Sequence, residues 1–179
     1  GGSVRSPAGY CGIVGLKPTK GVVPVDGVAP LSSTLDHVGT MAATVAEAGL
    51  CLAALTQTAS AVPASGIAGL RVGYGRSWSA DAAEPPVQAA LDHAAQTLRE
   101  LGAEVEDIAL PDYRQFEACG TVIIQAEAFA EHADRLRTKA ALYGLKAFQN
   151  LVSGAVLCAS DVAVAMKARE YLTQELDRQ

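Results

Sequence analysis

No run of lysines and arginines marks this chain. Fourteen Lys and Arg against nineteen Asp and Glu give a net charge of −5 and a sequence pI near 5.1. Nothing resembles the basic stripe that tracks phosphates, so no nucleic-acid partner is expected. Long hydrophobic runs are missing too. The longest stretch free of formal charge, residues 48–70, carries Gln57, Pro63, Gly66, Gly69 and several Ser and Thr. Such a segment spans hydrocarbon poorly, and no membrane association is expected. Cysteine is sparse: Cys11, Cys51, Cys119 and Cys158 lie far apart, with no C-x-x-C and no neighbouring histidine. That spacing speaks against a zinc site and against a compact disulfide scaffold, and leaves buried free thiols as the expectation. An initiator Met and a secretory leader pattern are absent from the start, which reads as a piece cut from a longer protein. Any targeting segment would lie in the missing part, so no compartment is fixed, with the cytoplasm favoured.

What is present is an ordinary globular balance. Half of the 179 residues are hydrophobic and 18% are charged. Size scaling suggests that about two-thirds of the unfolded surface could be buried, enough for one sizeable core. Because 34 of the hydrophobic residues are alanines, close-packed Ala-rich helices are the expected way of burying it.

The first 30 residues hold 11 of the 25 Gly and Pro, and glycines at positions 9, 12, 15, 21 and 27 predict loops and short strands there rather than a helix. Within that region, Cys-Gly-Ile-Val-Gly-Leu at 11–16 is an apolar run suited to a buried strand, ended by Pro18. From Thr40 the spacing of Met41, Val45, Ala48, Leu52 and Leu55 predicts an amphipathic helix with Thr40 as N-cap. Residues 56–65 read as a surface connection. Residues 70–74 predict a strand, 86–101 a helix opened by Pro86 with Gly102 as its C-terminal cap, and 105–110 a second strand closed by Pro111. Strand, helix and strand in that order form a βαβ unit with two parallel strands. The rest predicts helices over 116–136, 147–158 and 162–176. Asp161, Lys167, Arg169, Glu170 and Glu175 form a solvated face of the last one.

Gly1-Gly2-Ser3-Val4-Arg5-Ser6-Pro7-Ala8 is the informative stretch. Glycines before a serine let backbone N–H groups converge on one point, where they can hold the negative oxygen of a tetrahedral intermediate beside the hydroxyl. Gly-Gly-Ser alone is also a common turn or linker. The wider string continues through Tyr10-Cys11-Gly12-Ile13-Val14-Gly15-Leu16-Lys17-Pro18-Thr19, Pro30-Leu31 and Leu35-Asp36-His37-Val38-Gly39-Thr40-Met41-Ala42. It closely resembles the amidase signature family over about 55 residues. Looser agreement follows at Gly69 to Tyr74, at Leu101-Gly102-Ala103-Glu104-Val105, and at Gln125-Ala-Glu-Ala with His132.

The resemblance implies an α/β chain, part of a three-layer α/β/α domain around a mixed sheet, with residues 1–179 as a partial amidase domain. It implies hydrolysis of a carboxamide through a serine acyl-enzyme, with no cofactor and no metal. Carried over residue by residue, Ser3 is the nucleophile, and Gly1, Gly2 and Ser3 supply the oxyanion hole. The family's bridging cis-Ser and its Lys base precede this motif and lie outside the chain. Lys17 belongs to the Gly-Leu-Lys-Pro-Thr loop and does not replace that base.

Arg5 supports the motif, bracing the loop by pairing with an upstream Asp rather than binding an acidic substrate. Glu127 and His132 fall on one helix and are candidates for the acyl pocket, against a solvated or structurally bonded role. Asp36-His37 is discounted as a Ser-His-Asp relay, since adjacent residues rarely face each other. The expected partner is a small-molecule amide, and a homodimer is left open. Within the resemblance, a free-standing amidase is preferred to the glutamine-hydrolysing amidotransferase component that serves misacylated tRNA. A reading of another class makes 70–110 the core of a small-ligand binding module. With only Gly73-Tyr74-Gly75-Arg76 after the first strand, and no G-x-G-x-x-G, a dinucleotide site is disfavoured.

Overall fold

A computed structural model of the chain describes residues 2–58, 66–80 and 83–179. It is an α/β structure that divides into two compact units, Gly1–Val62 with Ile124–Leu157 and Pro63–Ile123 with Cys158–Gln179. The buried hydrophobic residues are spread over both units. Six of the thirteen buried hydrophobic residues described are alanines, and Ala contributes too little apolar area for one large core.

The first unit opens with α1, Gly2–Cys11, where the glycine count had predicted loop. Packing overrides propensity here. Val4 and Ala8, four residues apart, form the buried stripe of the helix, and both lie against glycines. A Cβ on Gly15 would stand 2.7 Å from the Ala8 Cβ, and one on Gly39 would stand 3.1 Å from both Val4 methyl groups. Strand β1, Val14–Leu16, pairs antiparallel with β2, Thr40–Ala42, with Gly15 opposite Met41. The strand is shorter than the predicted 11–16 run because Cys11 still belongs to α1, and its residues are only half-buried.

Helix α2 is Val45–Thr56. Its N-cap is Thr44 rather than Thr40: Thr44 accepts from the Glu47 N–H while the Glu47 carboxylate accepts from the Thr44 N–H. Thr40 is taken up in β2 and its buried hydroxyl donates to the Ala48 carbonyl. Of the predicted apolar stripe only Ala48 is buried, and Val45 is exposed. The connection predicted over 56–65 falls mostly outside the described residues. The unit is completed by the later part of α5, Tyr113–Lys139, and by α6, Leu145–Val152, extended by a 3-10 turn at Ser153–Val156. Ala128, Leu136 and Leu151 form the core between them, with Phe129, Tyr143 and Phe148 packed around it.

In the second unit, β3, Arg71–Tyr74, leads through a short α3, Arg76–Ala80, into α4, Pro85–Glu100, and on to β4, Glu104–Asp107. The strands are parallel with Val72 opposite Val105, as the βαβ pattern predicts. Gly102 ends α4 as expected: at φ +94° it lets its own N–H reach the Arg99 carbonyl and the Ala103 N–H reach the Leu98 carbonyl. β4 stops earlier than predicted because β3 offers four residues to pair with, and Ile108 N–H to the Tyr74 carbonyl is the last bond of the ladder. Trp78 sets its edge on Tyr113 and Phe116 and donates to the Pro111 carbonyl.

Helix α7, Ala159–Asp177, closes the chain. Its predicted solvated face is partly covered, with Arg169 and Glu175 half-buried. All four cysteines are free, but only Cys119 is buried; Cys11, Cys51 and Cys158 are exposed. The expectation of buried thiols fails because these three sit at the end of α1, on the outer face of α2 and at the N-cap of α7.

Candidate active site

Ser3 is exposed on the first turn of α1. Burying Val4 and Ala8 turns the opposite side of the helix to solvent, so the packing that forms α1 also presents the hydroxyl. The first N–H groups of a helix have no intrahelical acceptor. Pro7 has no N–H to give to the Ser3 carbonyl four residues earlier, so the backbone around Ser3 is unusually open for a helix. Gly2 lies within the helix with an open side, the nearest atom to an added Cβ being the Ser6 hydroxyl at 3.8 Å. Gly1, the other expected oxyanion donor, lies outside the described residues. Arg5 is exposed.

Glu127 and His132 lie on α5 in the same unit and are bonded to the segment between β1 and β2. The Glu127 carboxylate oxygen Oε2 accepts from the Ser32 hydroxyl and from the Thr34 N–H at 3.1 Å. His132 Nε2 lies 3.2 Å from the Pro30 carbonyl and Nδ1 lies 2.9 Å from the Tyr143 hydroxyl. A carbonyl only accepts, so the proton on the neutral ring sits on Nε2 and the Tyr143 hydroxyl donates to Nδ1. Both residues are thus structurally bonded. His132 also lines an apolar cavity of about 490 Å³ with Leu31, Ile124, Ala128, Tyr143 and Leu151, whereas Glu127 does not.

Ser32, Thr34 and Tyr143 carried no expectation. A signal for the first two was present in the Ser-Ser-Thr-Leu-Asp string at 32–36, a turn-forming composition. Asp36 accepts from the Leu31 and Ser32 N–H groups at 2.8 and 3.0 Å, and Lys20 donates to the Ser33 and Thr34 carbonyls. His37 turns its Nδ1 to the Leu35 carbonyl. Asp36 and His37 therefore each serve the local backbone, in keeping with the rejection of an acid–imidazole relay. Lys17 donates to the Pro18 carbonyl at 2.7 Å.

The model of the family described as Amidase matches residues 1–175. A glutamyl-tRNA(Gln) amidotransferase subunit of Pelobacter propionicus is 40% identical over 147 residues, which are 74% of this chain and 30% of that protein. Among solved structures, one described as an amidase has a TM-score of 0.86 at 29% identity, covering 98% of this chain and 40% of its own. The corresponding glutamyl-tRNA(Gln) amidotransferase subunit from Thermotoga maritima has a TM-score of 0.67 at 26% identity, covering 99% and 42%. The chain spans about a third of the length of the curated relatives it matches.

Proposed function

Because the chain belongs to the amidase family, we propose that it is part of an enzyme that hydrolyses a carboxamide C–N bond through an acyl-enzyme on Ser3. The observation that carries this is the exposed Ser3 on the first turn of α1, behind a helix face pinned to two glycines. A serine hydroxyl is a weak nucleophile until a base removes its proton. In the mechanism the family resemblance implies, a Lys acting through a bridging Ser, both outside residues 1–179, takes that proton as Ser3 attacks the carbonyl carbon. The oxyanion is held by N–H groups of Gly1, Gly2 and Ser3. The amine or ammonia leaves with the proton, and water then hydrolyses the ester, regenerating Ser3. Arg5 braces this turn, and residues 1–179 are part of one amidase domain. The substrate is a small-molecule amide.

In the full-length protein, Ser3→Ala is expected to lower turnover about 10³-fold or more while leaving the fold intact, because it removes one exposed hydroxyl. Near-normal turnover in a clean preparation would remove the assignment. A second reading, release of ammonia from glutamine within an amidotransferase, is favoured by the 40% identity to the Pelobacter propionicus protein. The higher TM-score to the structure described as an amidase favours the first reading, which we retain. Ammonia release from glutamine compared with release from simple acyl amides separates the two.

A further inference from the structure

The segment between β1 and β2 is held from α5 at two points, and the chain from there leads to Gly39, which packs against the helix that carries Ser3. Glu127 Oε2 takes both the Ser32 hydroxyl and the Thr34 N–H. Ser32 is fully buried, so its hydroxyl depends on that one carboxylate oxygen. A hydrogen bond to an ionised acceptor is about twice as strong as a neutral one, and removing the acceptor strands a buried donor. One and a half helical turns further along α5, His132 takes the Pro30 carbonyl. Asp36 and Lys20 close the same segment on itself. Three residues after Asp36 comes Gly39, whose missing Cβ lets the chain lie under Val4, the neighbour of Ser3 in α1.

We infer that Glu127 is a positioning residue for Ser3, with His132 as its second point of attachment: it fixes the Pro30–Asp36 loop, which in turn seats Gly39 under Val4 and so sets where α1 presents the nucleophile. This rests on the acyl-enzyme reading above. Glu127 touches no substrate in this scheme. Its effect passes through the Ser32 and Thr34 bonds, four residues of chain and the close packing of the Gly39 backbone on the Val4 side chain. A misplacement of about 1 Å from such a distance can cost on the order of 10²-fold in rate.

The test compares wild type, Glu127→Ala, Glu127→Gln and Ser32→Ala in the full-length protein, reading the rate of fluorophosphonate labelling of Ser3 and amide hydrogen exchange over residues 30–40. Glu127→Ala is expected to slow labelling by about tenfold or more and to speed exchange of the Thr34 amide, as expected for a lost bond to a charged acceptor. Glu127→Gln keeps an oxygen where both donors meet, so it restores most of both properties. A residue that only stabilised the fold would shift the melting temperature without this pattern of loss and rescue. Ser32→Ala removes one donor and leaves the Thr34 bond, so it should give an intermediate rate and serves if Glu127→Ala does not fold. Folded variants that label at the wild-type rate with unchanged exchange would overturn the inference alone. A folded, amide-hydrolysing wild type without labelling at Ser3 would overturn the acyl-enzyme reading, and the exchange data would still report whether the clamp exists.

Discussion

At the scale of single residues, one glycine and one buried thiol make the most definite statements. Gly39 tolerates no side chain: a Cβ there would stand 2.6 Å from the Leu16 carbonyl oxygen as well as 3.1 Å from Val4. Gly39→Ala is therefore expected to destabilise the full-length protein by about 1–3 kcal/mol, the usual cost of overpacking, and to slow turnover through displacement of α1. Denaturant titration beside a rate measurement checks both, and an unchanged rate would mean that α1 does not depend on this contact. Burial pushes the Cys119 thiol up, against the opposing pull of Arg169, and its Sγ donates to the Ala165 carbonyl. Only a thiolate reacts readily. Alkylation near neutral pH should mark Cys11, Cys51 and Cys158 long before Cys119, as peptide mapping over time would show. Early modification of Cys119 would contradict its burial.

At the scale of elements, α4 is tied to the end of β3 by a polar network with a pH dependence of known sign. Asp92 accepts from Arg76 Nε and Nη2 at 2.9 and 3.0 Å and from the Tyr74 hydroxyl at 2.8 Å, while Gln88 donates to both Tyr74 and Asp92. The Arg76 guanidinium first and the Tyr74 hydroxyl next hold the Asp92 carboxyl at about 2, below its ordinary 3.8. A carboxyl whose folded value is depressed stabilises the fold above the unfolded value and loses that contribution as pH falls toward the folded one. The melting-temperature gap between wild type and Asp92→Asn should thus be full above about pH 4 and close as pH drops to about 2. A gap independent of pH over that range would show that the carboxylate is not what binds α4 to β3.

This unit was also the part most legible in the sequence. Pro at the start of α4, Gly102 at its end and two short alternating strands are local signals, and the local structure obeys them. Helix α1 was not legible, because what forms it is the fit of Val4 and Ala8 against Gly15 and Gly39, the latter thirty-five residues from Val4. The same holds for Thr44 taking the cap from Thr40: both residue types can cap, and the strand pairing of Thr40 with Leu16 decides between them. For the proposed site, the resemblance singled out Ser3 and offered Glu127 and His132 only as pocket candidates, and the bonds of Glu127 to Ser32 and Thr34 join positions more than ninety residues apart.

At the scale of the molecule, these 179 residues leave much apolar surface in contact with water. Tyr10, Leu142 and Val156 are 93%, 80% and 85% exposed. Among the described residues, no single helix is long and apolar enough to cross a membrane. Expressed alone, the chain is expected to associate with rising concentration and to melt without a sharp transition, because exposed apolar side chains favour association. It should also be inactive on amides, since the proposed proton relay lies outside it. A sharp two-state melt together with Ser3-dependent hydrolysis by the 179 residues alone would refute this.

The acyl-enzyme on Ser3 is the claim on which the rest depends, and covalent capture tests it most directly. The full-length protein is treated with a fluorophosphonate, digested, and the modified peptide sequenced by mass spectrometry, with Ser3→Ala treated in parallel. A single adduct on Ser3, absent from the variant and appearing in step with the loss of amide turnover, is the predicted result. A folded, amide-hydrolysing protein that carries the adduct on another residue, or takes up none, would contradict it.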